Sequence, residues 1–335
     1  MQPDLSIAWV GVIAFGLAMY VIMDGFDLGI GVLFPFVPDR GDRDLMVNTV
    51  APVWDGNETW LVLGAAGLYA AFPLAYSIVL SALYLPLMFM LAGLIWRGVA
   101  FEFRFKADAA HRLFWDKAFA WGSYIATFFQ GVSLGAFLNG IKVSGPSYAG
   151  GALDWLTPFS VFTGFGLIVA YALLGSTWLI LKTEGDLQAR MRSAARGTTL
   201  GLMAVIAIVS LWTPLGHPAI EARWFTLPDL LFFAPVPGLT VAVAVVLLLS
   251  LQQKAHVVPF IAALALLFLG YSGLGISIWP YIVPPELTIE AAAAPPQTQL
   301  FVLVGALITI PVILAYTAFA YYVFRGKVRA GEGYH

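Results

Sequence analysis

The sequence predicts an all-α polytopic membrane protein: nine transmembrane helices in one integral membrane domain over residues 1–335, N-terminus periplasmic and C-terminus cytoplasmic. Three observations carry this. A chain of 335 residues that is 60% hydrophobic and 11% charged, with a mean hydropathy of +0.86, fits no soluble composition. Apolar runs of about 20 residues, the length that crosses a bilayer core, recur nine times. Basic residues concentrate on alternate connections.

The first run, Ile7 to Met23, follows MQPDLS, which lacks the positive region and small-residue cleavage site of a signal peptide, so it is expected to stay in the mature chain. The spans fall at about 6–36, 52–73, 76–102, 115–140, 157–182, 198–216, 234–253, 257–281 and 298–324. The longest outer connections, near 140–154 and 214–233, are rich in Gly, Pro and aromatics and read as ordered caps over helix ends.

Charge tests the count, because short cytoplasmic loops hold the excess of Lys and Arg. One set of connections carries Arg40 and Arg43, then Arg97, Arg104, Lys106, Arg112 and Lys117, then Lys182, Arg190, Arg192 and Arg196, then Lys254, then Arg325, Lys327 and Arg329. The opposite set carries only Lys142 and Arg223. That division requires an odd number of spans. A net charge of -2 removes the basic surface that nucleic-acid binding needs, and the absence of Cys removes disulfides, Fe–S clusters and thiolate chemistry.

Ionisable groups inside a membrane are costly, so each is a candidate for function. In DGFDLGIG, Asp24 and Asp27 lie three residues apart on one helix face, while Gly25, Gly29 and Gly31 permit close helix contact. The competing reading is that both carboxylates already sit, solvated, among headgroups. In PVWDGNETWL, Asp55 and Glu58 are again three apart at the start of the second span, flanked by Trp54, Asn57 and Trp60. Acids in a first helical turn need no more than the helix dipole to explain them, yet four polar residues in five imply a buried, hydrated network suited to proton transfer. WRGVAFEFRFK ends the third span. Its Glu102 can pair with Arg104 or Lys106, while Arg97, Arg104 and Lys106 read more simply as snorkelling interfacial anchors. TWLILKTEGDLQAR leaves the fifth span at Lys182 and reads as a helix end and a solvated loop.

Buried haem needs axial ligands within the bundle, commonly His or Met. His111, His217, His256 and His335 all map to loops, span ends or the terminus, and the Met residues within spans are ordinary packing residues. No haem or metal ligand is therefore expected from this chain.

DGFDLGIG and PVWDGNETWL, with WRGVAFEFR, TWLILKTEGDLQAR, GISIWPYIVPPELTI and YTAFAYYVFRGKV, resemble subunit II of the cytochrome bd family of quinol oxidases over the whole chain. Glu58 departs from the pattern, since many members have Gln there. The short length and DGNET look like the cyanide-insensitive oxidase branch. The resemblance implies a haem-free subunit of the bacterial inner membrane. It would pair with a haem-bearing subunit I that holds haem b with haem d, or with further b-type haem, and that oxidises ubiquinol and reduces oxygen to water. A small single-span subunit and a bound ubiquinone are further expectations. The family's proton-channel residues carry over to Asp55 and, nearer the mouth, to Glu102 and Lys106; Asp24, Asp27 and Glu58 join them from burial and spacing. Two other classes compete: a self-contained ion-coupled transporter, which would gather its ligands near the bilayer midplane, and a structural scaffold without a relay.

Overall fold

The computed structural model describes residues 5–108 and 110–329. Its helices are α1 (Leu5–Leu33), α2 (Arg40–Asn48), α3 (Trp54–Ala71), α4 (Pro73–Lys106), α5 (Arg112–Leu138), α6 (Pro158–Lys182), α7 (Gly185–Gly216), α8 (Pro218–Phe225), α9 (Asp229–Phe233), α10 (Pro235–Gln252), α11 (Val258–Ile278), α12 (Ile289–Ala292) and α13 (Pro296–Val323). Two short antiparallel hairpins, β1 (Val143–Ser144) with β2 (Ser147–Tyr148) and β3 (Tyr281–Val283) with β4 (Leu287–Thr288), interrupt them. Helices satisfy their own backbone groups, which is what a lipid environment demands. Among the described residues seven stretches are long and apolar enough to cross a membrane: α1 with the turn that follows it, α4, α6, α7, α9 with α10, α11 and α13. Helices α3 and α5, of 18 and 27 residues, complete the long elements and carry many of the polar side chains described below.

Helix α1 is the centre of the bundle, packed on α3, α5 and α6. Its glycines explain the fit. Gly29 meets the backbone of Tyr171 and Gly175 on α6, Gly25 meets the Tyr171 ring, and Gly31 meets Ser123 on α5, so the expected role of the DGFDLGIG glycines in close packing is observed. Helix α4 is bent where Leu83 leaves helical geometry, three residues before Pro86, whose ring and missing N–H disrupt the preceding turn.

The basic connections meet at one end of the bundle. Arg104 on α4 pairs with Asp116 on α5 and with Asp44 on α2, Arg112 holds both oxygens of Asp44, and Arg190 on α7 lies 3.9 Å from Asp42. At the other end, Ile141 donates to the Pro284 carbonyl and Ala294 to that of Ala71, while the β1–β2 hairpin is closed by Lys142 and Asp154. The hydrogen bond from Lys142, with one from the Gly151 amide, holds the Asp154 carboxyl below its ordinary range. That pair is complete above the range and is lost only as pH falls through the lowered value, so the cap is intact near neutrality.

Several boundaries differ from the expected spans. The helix of the sixth expected span, α7, begins at Gly185 rather than 198: Leu187, Met191, Ala195, Thr199 and Leu202 are buried at helical spacing, so an amphipathic extension precedes the apolar run. The solvated loop expected after Lys182 is thus two residues, Thr183 and Glu184, followed by helix. The first span runs to Phe36 as expected, its last turn, Phe34–Phe36, being 3-10 around Pro35, whereas the eighth ends at Ile278, ahead of β3. The cap near 214–233 holds α8 and α9.

Candidate functional site

Four helices bring their polar residues to one level inside the bundle. Asp24 and Asp27, on the C-terminal half of α1, are fully buried, which overturns the reading of both as solvated headgroup residues. Arg97, on α4, is also fully buried rather than a snorkelling anchor. Its Nη2 donates at 2.6 Å to Asp24 Oδ1 and at 2.6 Å to Glu58 Oε1 on α3, and its guanidinium lies 5.5 Å from the centroid of the Trp54 ring. Trp54 in turn stacks on Phe101 of α4, with centroids 5.2 Å apart.

Asn57 joins the second carboxylate. Its Nδ2 donates to Asp27 Oδ2 at 2.8 Å and to the Met23 carbonyl at 3.2 Å, and its Oδ1 accepts from Tyr321 on α13 at 2.9 Å. Asp24 Oδ2, Asp27 Oδ1 and Arg97 Nε and Nη1 are buried without a hydrogen-bond partner among the described residues. The cluster therefore has donor and acceptor capacity beyond its direct contacts.

Not every candidate enters it. Asp55, in the first turn of α3, is exposed on the surface of the chain, so the buried network expected around it contains Asn57 and Glu58 but not Asp55 or Thr59. Exposure is the natural state of a carboxylate in a first helical turn, where free backbone N–H groups favour it without burial. Glu58 bridges the two environments, with 29% of its side chain exposed. Glu102 and Lys106 are exposed and lie 3.9 Å apart one helical turn from each other. They line an open cleft of about 390 Å³ with Asp108, His111 and Trp115. There the backbone amide and ring of His111 hold the Asp108 carboxyl below its ordinary range.

A second buried cation escaped the sequence reading. Arg104, expected as an anchor, is 1% exposed. Its Nε lies 2.6 Å from Asp116 and its Nη2 2.7 Å from Asp44, and it stands over the Phe34 ring. Arg43 approaches the same ring and lies 3.4 Å from Asp116, while Arg112 backs Asp44. Each aspartate thus keeps a partner when Arg104 is removed. Arg104→Met is expected to cost about 2 kcal/mol, less than the ~3–5 kcal/mol of an unbacked buried pair, whereas Lys106→Met in the exposed pair is expected to cost under about 0.5 kcal/mol. Thermal denaturation of the two purified variants measures this; equal midpoints would remove the network from the account of stability.

Among the described residues no histidine sits within the bundle as an axial haem ligand would, and His335 lies outside the described residues. His111 is exposed, His217 ends α7, His256 sits in the α10–α11 turn, and among the described residues no three His, Asp or Glu side chains converge on a metal-sized space.

The family model described as cytochrome bd terminal oxidase subunit II matches residues 5–324. The chain is similar to cytochrome bd-I ubiquinol oxidase subunit 2 of Escherichia coli (strain K12), with 28% identity covering 95% of this chain and 93% of that protein. It is likewise similar to cytochrome bd ubiquinol oxidase subunit 2 of Bacillus subtilis (strain 168), with 29% identity covering 99% of each. Among solved structures, a chain of the bd oxidase from Geobacillus thermodenitrificans matches with a TM-score of 0.79 at 17% identity, over 96% of this chain and 98% of that one. At that identity the likeness speaks for the fold.

Proposed function

Because the chain belongs to the cytochrome bd terminal oxidase subunit II family, and so to a quinol oxidase complex of a bacterial membrane, we propose that it delivers protons through the Asp24–Arg97–Glu58 cluster to a haem-bearing subunit I. Reduction of oxygen to water consumes a proton for every electron, so a site buried in a bilayer needs a polar route to it. The observation that carries the proposal is the charge count. Asp24 and Glu58 share a single guanidinium, and a third carboxyl group, the buried Asp27, stands one helical turn from Asp24 with no cation in contact among the described residues. Full ionisation would leave two negative charges uncompensated, at a cost on the order of several kcal/mol each. Proton occupancy is therefore what this cluster adjusts, and its spare donors and acceptors suit ordered water.

Asp55 stands at the exposed end of the route, one turn before Glu58. Glu102 and Lys106 mark its mouth, about one and two turns along α4 from Gly98, on which Trp54 packs. Nine spans with the N-terminus periplasmic and the basic end cytoplasmic in the inner membrane give this route its direction. The partner's haem b, with haem d or further b-type haem, and the ubiquinone belong to the same proposal, as does a small single-span subunit. A self-contained transporter is disfavoured by the side on which the acids lie, toward the basic end.

Asp24→Asn tests the relay. The amide keeps the shape and much of the hydrogen bonding but does not exchange the proton. The variant complex is expected to assemble with its haem spectrum intact and to lose at least about tenfold in quinol oxidase turnover, the lower part of the range for removing a group that transfers protons. Full turnover in the assembled variant would leave the cluster a structural element, as in the scaffold reading.

A further inference from the structure

The geometry points to the C-terminal tail as the element that orients Asn57 toward Asp27, with Lys182 as the positioning residue that anchors the tail. Lys182 is the last residue of α6 and is 7% exposed, yet it belongs to no ion pair among the described residues. Its ammonium donates instead to two main-chain carbonyls of the tail, Phe324 O at 2.6 Å and Gly326 O at 3.2 Å, and lies 5.1 Å from the Trp178 ring centroid. A buried ammonium without a carboxylate depends on such acceptors, because desolvation without them is costly.

The contact continues along the chain. Gly326, at φ +100°, turns the tail back, a conformation that glycine adopts without strain. Val328 N then donates to Lys182 O at 2.9 Å, and Lys327 Nζ to Thr183 O at 2.8 Å. Residues 324–328 are thereby fastened along 182–184.

What this fastening holds is the last turn of α13. That helix is otherwise weakly seated, with Gln299 at its far end the one residue fully buried within it. Tyr321 lies three residues before Phe324, about 4.5 Å along the axis. Its ring packs edge-on against Trp178, with centroids 6.1 Å apart, so the residue that contacts Lys182 also supports Tyr321. The Tyr321 hydroxyl donates to Asn57 Oδ1. On the other side of the amide stands the Met23 carbonyl, which only accepts. The amide nitrogen must therefore face Met23 and Asp27, and its oxygen must face Tyr321. The orientation that presents an N–H to Asp27 is set jointly by Met23 and the tail-held tyrosine.

The structural part of this inference stands by itself; its consequence for turnover rests on the proton-relay reading. The test uses the purified complex and the infrared carboxyl band of Asp27, identified as the band lost in Asp27→Asn. Tyr321→Phe and Lys182→Met are expected to shift that band in the same direction, their double variant no further than the larger single shift, and Lys182→Arg to restore most of it. Turnover of Lys182→Met is expected to fall about three- to tenfold, the size of coupling carried through an intervening network. Gly326→Ala strains the turn without touching a charge and gives a second variant should Lys182→Met fail to assemble; it is expected to shift the band in the same sense. An Asp27 band unmoved by Gly326→Ala and by whichever Lys182 variant assembles overturns the inference, even where Asp24→Asn has lost turnover. A shifted band with full turnover upholds the latch and removes the relay.

Discussion

Arg97→Met is expected to reduce the yield of assembled complex to under about one-tenth of the wild-type level. The guanidinium is the one cation in contact with Asp24 and Glu58 among the described residues, and both it and Asp24 are fully buried. Removing it strands two carboxylates, which costs about 3–5 kcal/mol for a buried pair, and forfeits its contact with the Trp54 face, worth about 1 kcal/mol. Against a typical total stability of about 5–15 kcal/mol, such a loss leaves little margin for insertion and subunit pairing. The triple variant Arg97→Met, Asp24→Asn, Glu58→Gln removes the stranded charges along with the cation and is expected to recover most of the yield while remaining inactive. Recovery separates an electrostatic cause from a packing one. Wild-type yield and thermal midpoint in Arg97→Met alone would show that the cluster does not depend on its cation.

The two halves of that cluster differ in how far the sequence announced them. Asp24, Asp27 and Glu58 stood out because a carboxylate within an apolar run has no cheap explanation. The burial of Asp24 and Asp27 follows from Gly25, Gly29 and Gly31, which draw α5 and α6 close on the same stretch of α1. Arg97 was hidden by its neighbours: in WRGVAFEFRFK three basic residues close together resemble an interfacial anchor, and Lys106 alone of the three is exposed. The signal that separates them is spacing. Gly93, Arg97, Ala100 and Arg104 recur at intervals of three and four on α4 and are all buried, whereas Glu102 and Lys106 lie off that stripe. A cation on the same stripe as a packing glycine faces protein, and it needs a carboxylate there.

Lys182 and Tyr321 left no such trace. Their link passes through carbonyl oxygens of residues more than 140 positions away, and main-chain acceptors look alike in every sequence. The extension of α7 was missed for a different reason. Hydropathy reports the part of a helix that lipid surrounds, and the amphipathic turns from Gly185 onward pack against protein on one side and hold Arg190 outward on the other. Asp55 shows the converse limit: sequence placed it correctly at a helix start, but a carboxylate there is equally stable outside the network, so proximity to Glu58 in sequence does not bring it into the cluster.

Gly29→Val is expected to prevent α1 from seating on α6 and so to remove assembled complex almost entirely. A Cβ built on Gly29 falls on the carbonyl of Tyr171 and close to the backbone of Gly175. These are main-chain atoms of a buried helix, so no side chain can rotate away to make room. Overpacking a core that must shift backbone costs about 1–3 kcal/mol for added methylenes and more when the obstacle is rigid. Within lipid, helix association rests on close packing rather than on water exclusion, so lost contact is not compensated by burying the apolar face elsewhere. Displacement of α1 would also carry Asp24 and Asp27 away from Arg97 and Asn57, adding the electrostatic loss to the steric one. Gly11→Val on the same helix is the matched control, since nothing lies within 4 Å of a Cβ placed there and the residue is exposed. Both substitutions carry the same intrinsic helix propensity change, so any difference between them isolates the contact. Co-purification of subunits and haem is expected to be near wild type for Gly11→Val and nearly absent for Gly29→Val; comparable yields from the two would place the α1–α6 contact outside the forces that hold the bundle together.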